Sequence, residues 1–178
     1  MANIESALRH SSAGLHQRLQ AAPQRDAQAA WLGVESGAAR LLLPLTHAGE
    51  VFRSADVQPV PYAQPWFLGV ANLRGVVCGV VDLAAFLGCA QEGRNARHGL
   101  ARGRLVSFNP LLDVNGAVLV DAILGVRTVS SFERCVPPGP SDLPCWGSTY
   151  TSADGQAWRE VNLQSLSQLD AFRAIALA

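Results

Sequence analysis

The stretch at residues 61–88 constrains the fold of this chain more than any other part of the sequence. Two short apolar runs, 70–73 and 76–81, flank the pair Arg74-Gly75. Glycine adopts positive φ without a steric penalty, so this spacing is typical of two strands joined by a tight bend. We therefore predict a β-hairpin with Arg74 at its tip.

A short capped helix is predicted directly after the hairpin. Asp82 can accept hydrogen bonds from the free amides at the start of a helix over 83–87, and Gly88 stands where a left-handed residue commonly ends a helix. Ahead of the hairpin, residues 66–68 (Trp-Phe-Leu) form a compact apolar anchor. The sequence thus predicts an anchor, a hairpin and a short helix in that order.

A shorter copy of this pattern occurs later in the chain. Gly75 is followed six residues on by Val-Asp-Leu at 81–83, and Gly155 is followed six residues on by Val-Asn-Leu at 161–163. Asparagine keeps the capping chemistry of aspartate, so Asn162 is predicted to cap a helix over 163–175. Two copies suggest two similar halves, although so short a repeat is also compatible with chance.

In the remainder of the chain, apolar and polar residues alternate with a period near two, which is typical of strands. Few segments show the spacing that is typical of a helix. Pro44 predicts an edge or a bend, and residues 136–144 a proline-rich loop. Turns are expected at Ser36-Gly37, Asn115-Gly116 and 153–155. Further strands are predicted at 31–35, 39–43, 51–53, 57–60, 105–108, 118–120, 126–129, 150–151 and 158–161. Many short strands with turn signals favour small β-barrels over a layered α/β sheet.

Composition excludes several classes of chemistry. The 178 residues carry 14 basic and 14 acidic side chains, so no global field recruits nucleic acid or an anionic membrane. Every basic residue is arginine, which excludes lysine Schiff bases, the P-loop lysine and Ser-Lys nucleophiles. A hydrophobic share of 49% argues for a packed globular chain.

No pattern of catalytic or metal-binding residues is found. The four cysteines form no Cys-x-x-Cys pair, the histidines have no ligand spacing, and no Gly-x-Ser-x-Gly motif occurs. We predict no catalytic residue, metal or cofactor, while an enzyme whose carboxylates meet only in the fold stays an alternative. No apolar run approaches the ~18 residues of a membrane span, so we expect a cytoplasmic protein without direct membrane insertion.

A local basic patch lies in the connector at 89–104. It contains Arg94, Arg97, Arg102 and Arg104 against a single acid. This charged loop could contact acidic groups of a partner, bind nucleic acid as part of a small β-barrel, or remain a solvated loop. Zero net charge and sparse strand aromatics count against nucleic acid, which we keep as the alternative function.

The ordered features at 61–88 resemble those of CheW-like adaptor domains, a family that couples chemoreceptors to a histidine kinase. The resemblance lies in the proline turn bounded by Pro61 and Pro65, in Trp-Phe-Leu-Gly-Val at 66–70, in Asn-Leu-Arg-Gly at 72–75 and in Val-Asp-Leu at 81–83. It implies a mainly β fold of two small SH3-like, five-stranded β-barrel subdomains packed together, with short helices. Weaker features extend the resemblance over roughly 31–177.

The domain organisation follows from this resemblance. The CheW-like domain is expected over 29–178, with a first barrel at about 29–88, a second at about 105–162 and a C-terminal helix at about 163–175, and with strands free to cross between barrels. Residues 1–28 are predicted to form an N-terminal helical extension, because apolar residues recur at helical intervals up to Pro23. This extension could pack on its own domain or dock a partner, and it resembles the pilus-associated, PilI-type branch of the family.

Partners and binding residues are also implied by the resemblance. The matching arginine of the family lies at the receptor-facing surface, so Arg74 is expected to bind a partner, with Leu73 and Val76 beside it and with Asn72 and Gly75 shaping the bend. The expected partners are the regulatory domain of a CheA-like histidine kinase and the cytoplasmic tip of a methyl-accepting chemoreceptor. The choice between a twitching and a swimming pathway stays open.

Overall fold

The computed structural model describes residues 30–53, 55–93 and 96–177. The predicted N-terminal helical extension at 1–28 lies outside the described residues, as does Arg94. The strands are β1 (Ala30–Ser36), β2 (Ala39–Pro44), β3 (Ala48–Phe52), β4 (Val57–Gln58), β5 (Phe67–Leu73), β6 (Val76–Asp82), β7 (Arg104–Phe108), β8 (Gly116–Val120), β9 (Ala122–Thr128), β10 (Arg134–Val136), β11 (Trp146–Thr151) and β12 (Ala157–Val161). The α-helices are α1 (Leu83–Phe86), α2 (Ala96–Arg102), α3 (Leu163–Gln168) and α4 (Asp170–Arg173).

The strands form two six-stranded sheets, which confirms the mainly β fold. The first sheet has the order β10-β11-β12-β2-β1-β9, and the second has the order β3-β7-β8-β6-β5-β4. Neighbouring strands are antiparallel except for the parallel pairs β12–β2 and β6–β8. Each sheet therefore has one strand more than the five that the resemblance implied for each barrel.

The two sheets do not divide the chain in sequence order. The second sheet uses the continuous stretch 48–120, whereas the first combines 30–44 with 122–161. The two sheets therefore do not coincide with the barrels predicted at about 29–88 and 105–162. The physical reason is that β2 pairs in parallel with β12, through Leu41 and Arg159, and so crosses to the sheet of the later strands. The outer bounds of the domain, 29–178, stay a prediction.

One apolar core joins the two sheets. Val34 and Leu41 of the first sheet lie in the same buried cluster as Val106 and Val118 of the second. The helix α3 adds buried leucines to this cluster, among them Leu166. Each sheet also has a smaller buried cluster of its own, but this common cluster packs the two sheets against each other.

The predicted hairpin and its helix cap are confirmed. Leu73 pairs with Val76, so Arg74 and Gly75 form a two-residue turn, with φ of 51° and 89° respectively. Positive φ at both positions is the geometry that matches the twist of the flanking strands. One carboxylate oxygen of Asp82 accepts from the first free amides of α1, at 3.1 and 3.2 Å.

The other predicted end residues also lie where expected. Gly88 follows α1 with φ of 71°, in the left-handed region. The side-chain oxygen of Asn162 accepts from the amide of Ser165 at 2.9 Å and begins α3. Pro44 ends β2, and the turn between β1 and β2 is Gly37-Ala38, one residue later than predicted.

The pair Asn115-Gly116 does not form the predicted hairpin turn. The strands β7 and β8 are antiparallel neighbours, but their connection runs from 109 to 115 and contains a 3₁₀ turn at Pro110–Leu112. Asn109 accepts from the amide of Leu111 and so caps that turn, which places the left-handed residue at Asp113. Gly116 is consequently the first residue of β8.

Two helical predictions need correction. The connector at 89–104 is not a loop throughout, because α2 spans Ala96–Arg102 and packs Leu100 against the core of the second sheet. The C-terminal helix predicted over 163–175 is broken at Leu169, whose ψ of 132° is extended. This break turns the chain so that Phe172 reaches an aromatic cluster between the sheets.

Strands were also missed or shortened by the sequence patterns. Ala122–Thr128 begins four residues before the predicted strand at 126, and Arg134–Val136 forms a strand that no sequence pattern predicts, its last residue falling in the expected proline-rich loop. The last hairpin is present as predicted, with β11 and β12 on either side of the turn at 153–155. Within the ranges that the structure describes, no helix has the length and apolar character that crossing a bilayer requires.

Candidate partner-binding site

Arg74 projects from the tip of the hairpin into solvent. Its side chain is 75% exposed, and its Nη1 donates to Oε1 of Glu50 on β3 at 2.9 Å. Exposed ion pairs contribute only about 0–1 kcal/mol, so this contact orients the guanidinium without fixing it strongly. Arg74 is therefore available to a carboxylate of a partner at a small energetic penalty.

An aromatic ring on β3 supports the same arginine. The guanidinium carbon of Arg74 lies 6.0 Å from the centroid of the Phe52 ring, which is within the range of a cation–π contact. Glu50 and Phe52 are two residues apart on one strand and so point to the same face of the sheet. Together they hold the side chain of Arg74 towards the groove beside the hairpin.

The backbone of the hairpin tip is fixed by a local hydrogen bond. The side-chain oxygen of Asn72 accepts from the amide of Gly75 at 2.7 Å. No atom lies within 4 Å of the position that a Cβ of Gly75 would occupy, so the glycine serves backbone conformation and not close packing. Asn72 and Gly75 thus shape the bend that presents Arg74.

A groove with a volume of about 450 Å³ opens beside the hairpin tip, and we refer to it as the tip groove. Its walls come from the hairpin, from β3 and from the connection between β7 and β8. The lining residues are Ala48, Gly49, Glu50, Phe52, Leu73, Arg74, Val76, Cys78, Ser107, Phe108, Pro110, Asp113, Val114, Asn115 and Gly116. The groove combines an apolar floor with charges at its rim.

The two valines of the hairpin tip are unusually exposed. Val76 is 47% exposed and lines the tip groove, whereas Val77 is 62% exposed and lines a shallower hollow of about 330 Å³ on the opposite face. Leu73 is only 5% exposed, so it supports the groove from below and offers little surface of its own. Apolar surface next to an exposed arginine is the composition expected at the centre of a protein interface.

Burial keeps the floor of the tip groove uncharged. Desolvation raises the pKa of the Cys78 thiol, so this side chain is neutral at physiological pH and behaves as a small apolar group. The charged side chains that line the groove are Arg74, Glu50 and Asp113. Among the described residues, no group of three His, Cys, Asp or Glu side chains is placed to hold a metal ion.

The basic patch of the connector does not join this site. Arg104 donates from Nη1 to the backbone oxygens of Arg102 and Gly103, at 3.0 and 2.8 Å, and so satisfies carbonyls at the end of α2. Arg102 is exposed, and neither arginine lines the tip groove. The side chain of Arg97 lies outside the described part of the chain.

Several residues of the tip groove were not predicted from the sequence. Glu50 and Phe52 come from β3, and Phe108 and Asp113 come from the region around the connection between β7 and β8. The strand predicted at 51–53 began one residue after Glu50, so the sequence did not place Glu50 and Phe52 on one strand face. Nothing in the sequence indicated that this face adjoins the hairpin, because that depends on the pairing of β3 with β7.

The fold and the site together define a class of protein. A mainly β domain of two sheets with a common core presents an arginine from a rigid hairpin beside an apolar groove, as a protein-interaction module does. Comparison with known families gives the more specific assignment. The model of the CheW-like domain matches residues 30–170, and the chain belongs to this family.

Individual relatives agree with this assignment. The chain is 28% identical to the protein PilI of Pseudomonas aeruginosa over 142 residues, which cover 78% of this chain and 73% of PilI. It is 38% identical to the chemotaxis protein CheW of Rhizobium meliloti over 82 residues, which cover 46% of this chain and 48% of that protein. The crystal structure of the scaffolding protein TtCheW from Thermoanaerobacter tengcongensis superposes with a TM-score of 0.64 at 19% identity, covering 81% of this chain and 95% of TtCheW.

Proposed function

We propose that this protein is a non-enzymatic adaptor that couples a methyl-accepting chemoreceptor to a CheA-like histidine kinase. Membership of the CheW-like scaffold family supports the general role. The observation that carries the specific proposal is Arg74, which stands 75% exposed at the rim of the tip groove within the Asn-Leu-Arg-Gly sequence typical of the family. The protein acts in the cytoplasm and meets the membrane only through its receptor.

The receptor tip is the proposed occupant of the tip groove. A helical hairpin presents apolar side chains that fit the groove floor and carboxylates that Arg74 can bind through two parallel hydrogen bonds. Glu50 competes for the same guanidinium in the free protein, at 2.9 Å. A receptor carboxylate therefore replaces an exposed ion pair with one that the interface shields from water, which strengthens it.

The kinase regulatory domain is proposed to pair with a surface on one of the two sheets. Because both sheets share one buried core, their outer surfaces keep a fixed relative position. A partner bound to one sheet is therefore held at a defined position relative to a partner bound to the other. The receptor signal then passes as a change in the relative placement of receptor and kinase, with no covalent change in the adaptor.

The pilus-associated branch is the proposed setting, with twitching motility as the output. The alignment with PilI extends over 78% of this chain, whereas that with CheW of Rhizobium meliloti extends over 46%. Because the alignment with PilI covers more of the chain, it supports a role closer to that of PilI than to that of CheW. Deletion of the gene is expected to reduce twitching and to leave flagellar swimming unchanged, as plate assays of both behaviours would measure.

Arg74→Glu tests the adaptor proposal. Purified wild type is expected to bind both a receptor cytoplasmic tip and a CheA-like regulatory domain in calorimetric titrations. Reversing the charge removes a central arginine and adds repulsion, so receptor binding is expected to weaken by about 2 kcal/mol or more, roughly 30-fold, with kinase binding retained.

Arg134→Glu is the matched control, because Arg134 is an exposed arginine on the other sheet. It is expected to keep receptor affinity within about twofold. Circular dichroism of each variant verifies that it is folded. The adaptor proposal fails if the wild type binds neither partner, and the role of Arg74 fails if both charge reversals weaken receptor binding equally.

A further inference from the structure

A second cluster of polar side chains lies on the outer face of the first sheet, away from the proposed receptor site. Arg40 of β2 and Arg127 of β9 both contact the indole of Trp158 on β12. Their guanidinium carbons lie 5.6 and 5.1 Å from the centroid of the ring. Three strands thus bring two positive charges onto one aromatic ring, and the proposed function assigns no role to them.

The arrangement is held by close packing. Trp158 is only 4% exposed and belongs to a buried cluster on this face of the sheet. A Cβ at Gly33 would lie 3.0 Å from the ring of Trp158 and 3.4 Å from the side-chain stem of Arg127. The absence of a side chain at Gly33 therefore leaves the space that both groups occupy, and the ring is a fixed support for the arginines.

Both arginines retain free hydrogen-bond donors. Contact with an indole uses the flat face of a guanidinium, which leaves its N–H groups available at the edge. Within the described ranges, neither Arg40 nor Arg127 has a carboxylate within 4 Å or a hydrogen-bond acceptor in range. Both are half-buried, so part of their hydration is lost without a hydrogen-bonding partner in exchange.

These side chains line an open hollow of about 340 Å³, which we call the Trp158 pocket. The hydroxyl oxygen of Ser131 accepts from the amide of Thr128 at 3.2 Å, which leaves its own O–H as a donor at the rim. The complete lining consists of Arg40, Arg127, Ser131, Phe132, Ser152, Ala153, Asp154 and Trp158. The pocket therefore offers guanidinium and hydroxyl donors around a space larger than one small anion.

Asp154 is the one carboxylate in this lining. Its Oδ1 accepts from the hydroxyl of Ser152 and from the amide of Gln156, so it is committed to the turn between β11 and β12. Those hydrogen bonds, with a smaller contribution from the charge of Arg40, hold the pKa of Asp154 below its usual value. Asp154 is thus ionised at neutral pH, and the lining keeps one positive charge in excess.

We propose that the Trp158 pocket binds a phosphate group, either free or carried on a larger molecule. Two guanidiniums supported on one ring present paired donors to the oxygens of a tetrahedral dianion, a geometry in which arginine binds more strongly than a single point charge. A phosphate oxygen replaces the water that the half-buried arginines have lost. The hydroxyl of Ser131 supplies a further donor.

The test is a titration of the full chain, labelled with ¹⁵N-tryptophan, with inorganic phosphate and with O-phosphoserine at constant ionic strength. The indole N–H of Trp158, which donates to Ser152 at 3.3 Å, reports binding through its NMR resonance. Arg40→Gln and Arg127→Gln are each expected to weaken phosphate binding about tenfold, because each removes a charged donor. Arg53→Gln, at an exposed arginine after β3, is expected to change it less than twofold.

Asp154→Asn separates binding from stability. Asparagine keeps an acceptor for Ser152 and Gln156 but removes the negative charge, so the affinity for phosphate is expected to rise severalfold, a change that loss of structure cannot mimic. Tighter binding of O-phosphoserine than of phosphate would identify a carried group, and equal binding would identify phosphate alone. The proposal is overturned if chloride or acetate shifts the resonance equally, if neither phosphate compound shifts it, or if Asp154→Asn weakens binding.

Discussion

At the scale of single residues, two glycines of β5 and its turn play different parts. Gly69 has φ of 135°, and a Cβ there would overlap the backbone carbonyl of Gln58 on β4. Gly75 also has positive φ, but the space around it is open. The first glycine is therefore required for packing and conformation together, the second for conformation only.

Substitution by alanine is expected to separate these roles. Gly69→Ala combines backbone strain with a clash and should lower the free energy of unfolding by about 3 kcal/mol or more. Gly75→Ala adds only the strain of a left-handed residue and should lower it by about 1 kcal/mol. Urea denaturation of both variants measures the difference. Equal losses would show that the backbones of β4 and β5 are not in the close contact described above.

At the scale of elements, the segment after Leu169 closes the space between the sheets. The ring of Phe172 lies 5.9 Å from that of Trp66, 5.3 Å from that of Phe86 and 6.2 Å from that of Phe108. The backbone beyond it pairs with the proline turn before the hairpin, through an isolated bridge between Ala63 and Ala176. The short helix α4 thus links the anchor of the hairpin to the common core.

Phe172→Ala is expected to destabilise the fold through loss of these ring contacts. The ring is half-buried, so the free energy of unfolding should fall by about 2–3 kcal/mol, less than for a fully buried phenylalanine. Leu177→Ala is the control, since that side chain is exposed and should contribute about 0.5 kcal/mol or less. Thermal and urea unfolding measure both. Similar losses for the two variants would mean that the aromatic cluster adds no stability of its own.

Short-range chemistry explains why some elements were predictable. The hairpin follows from glycine at a bend, and the helix starts follow from Asp82 and Asn162, whose side chains contact amides two or three residues away. The same type of argument failed at Asn115-Gly116, because the cap at Asn109 forms a competing turn nearby. Local patterns compete with one another, and the sequence alone does not rank them.

Long-range pairing explains why the rest was not predictable. Outside the hairpin itself, the walls of the tip groove are 22 to 42 residues away from Arg74 along the chain, from Phe52 to Gly116, and they meet it only because of strand order. The crossing of β2 to β12 has no counterpart in any local pattern. The exposed position of Arg74 at a hairpin tip was predicted from the sequence, whereas the groove beside it depends on the complete sheet.

At the scale of the whole molecule, one histidine couples stability to pH. His47 lies between β2 and β3, and its buried Nδ1 has no hydrogen-bond partner among the described residues. Burial lowers the pKa of His47, against a smaller opposing effect from the charge of Glu160. The folded protein therefore holds this imidazole neutral at pH values where the unfolded chain binds a proton.

The free energy of unfolding is expected to fall as the pH decreases from about 7.5 to about 5.5. The pKa of His47 is lower in the folded state, so its contribution is complete above the unfolded value and is lost as the pH falls towards the folded value. His47→Gln should remove that part of the slope. Urea denaturation of both proteins over this range measures it, and parallel slopes would contradict the assignment to His47.

The insertion of the second sheet between the two parts of the first has a consequence for synthesis on the ribosome. The β1–β2 hairpin leaves the ribosome before the second sheet, and about 80 further residues are then added before β9 begins, roughly 4–16 s at usual rates of translation. All strands of the second sheet emerge during that interval, whereas the first sheet has to await residue 161. The first sheet, although β1 and β2 are made before any strand of the second, is thus the last to have its full set of strands.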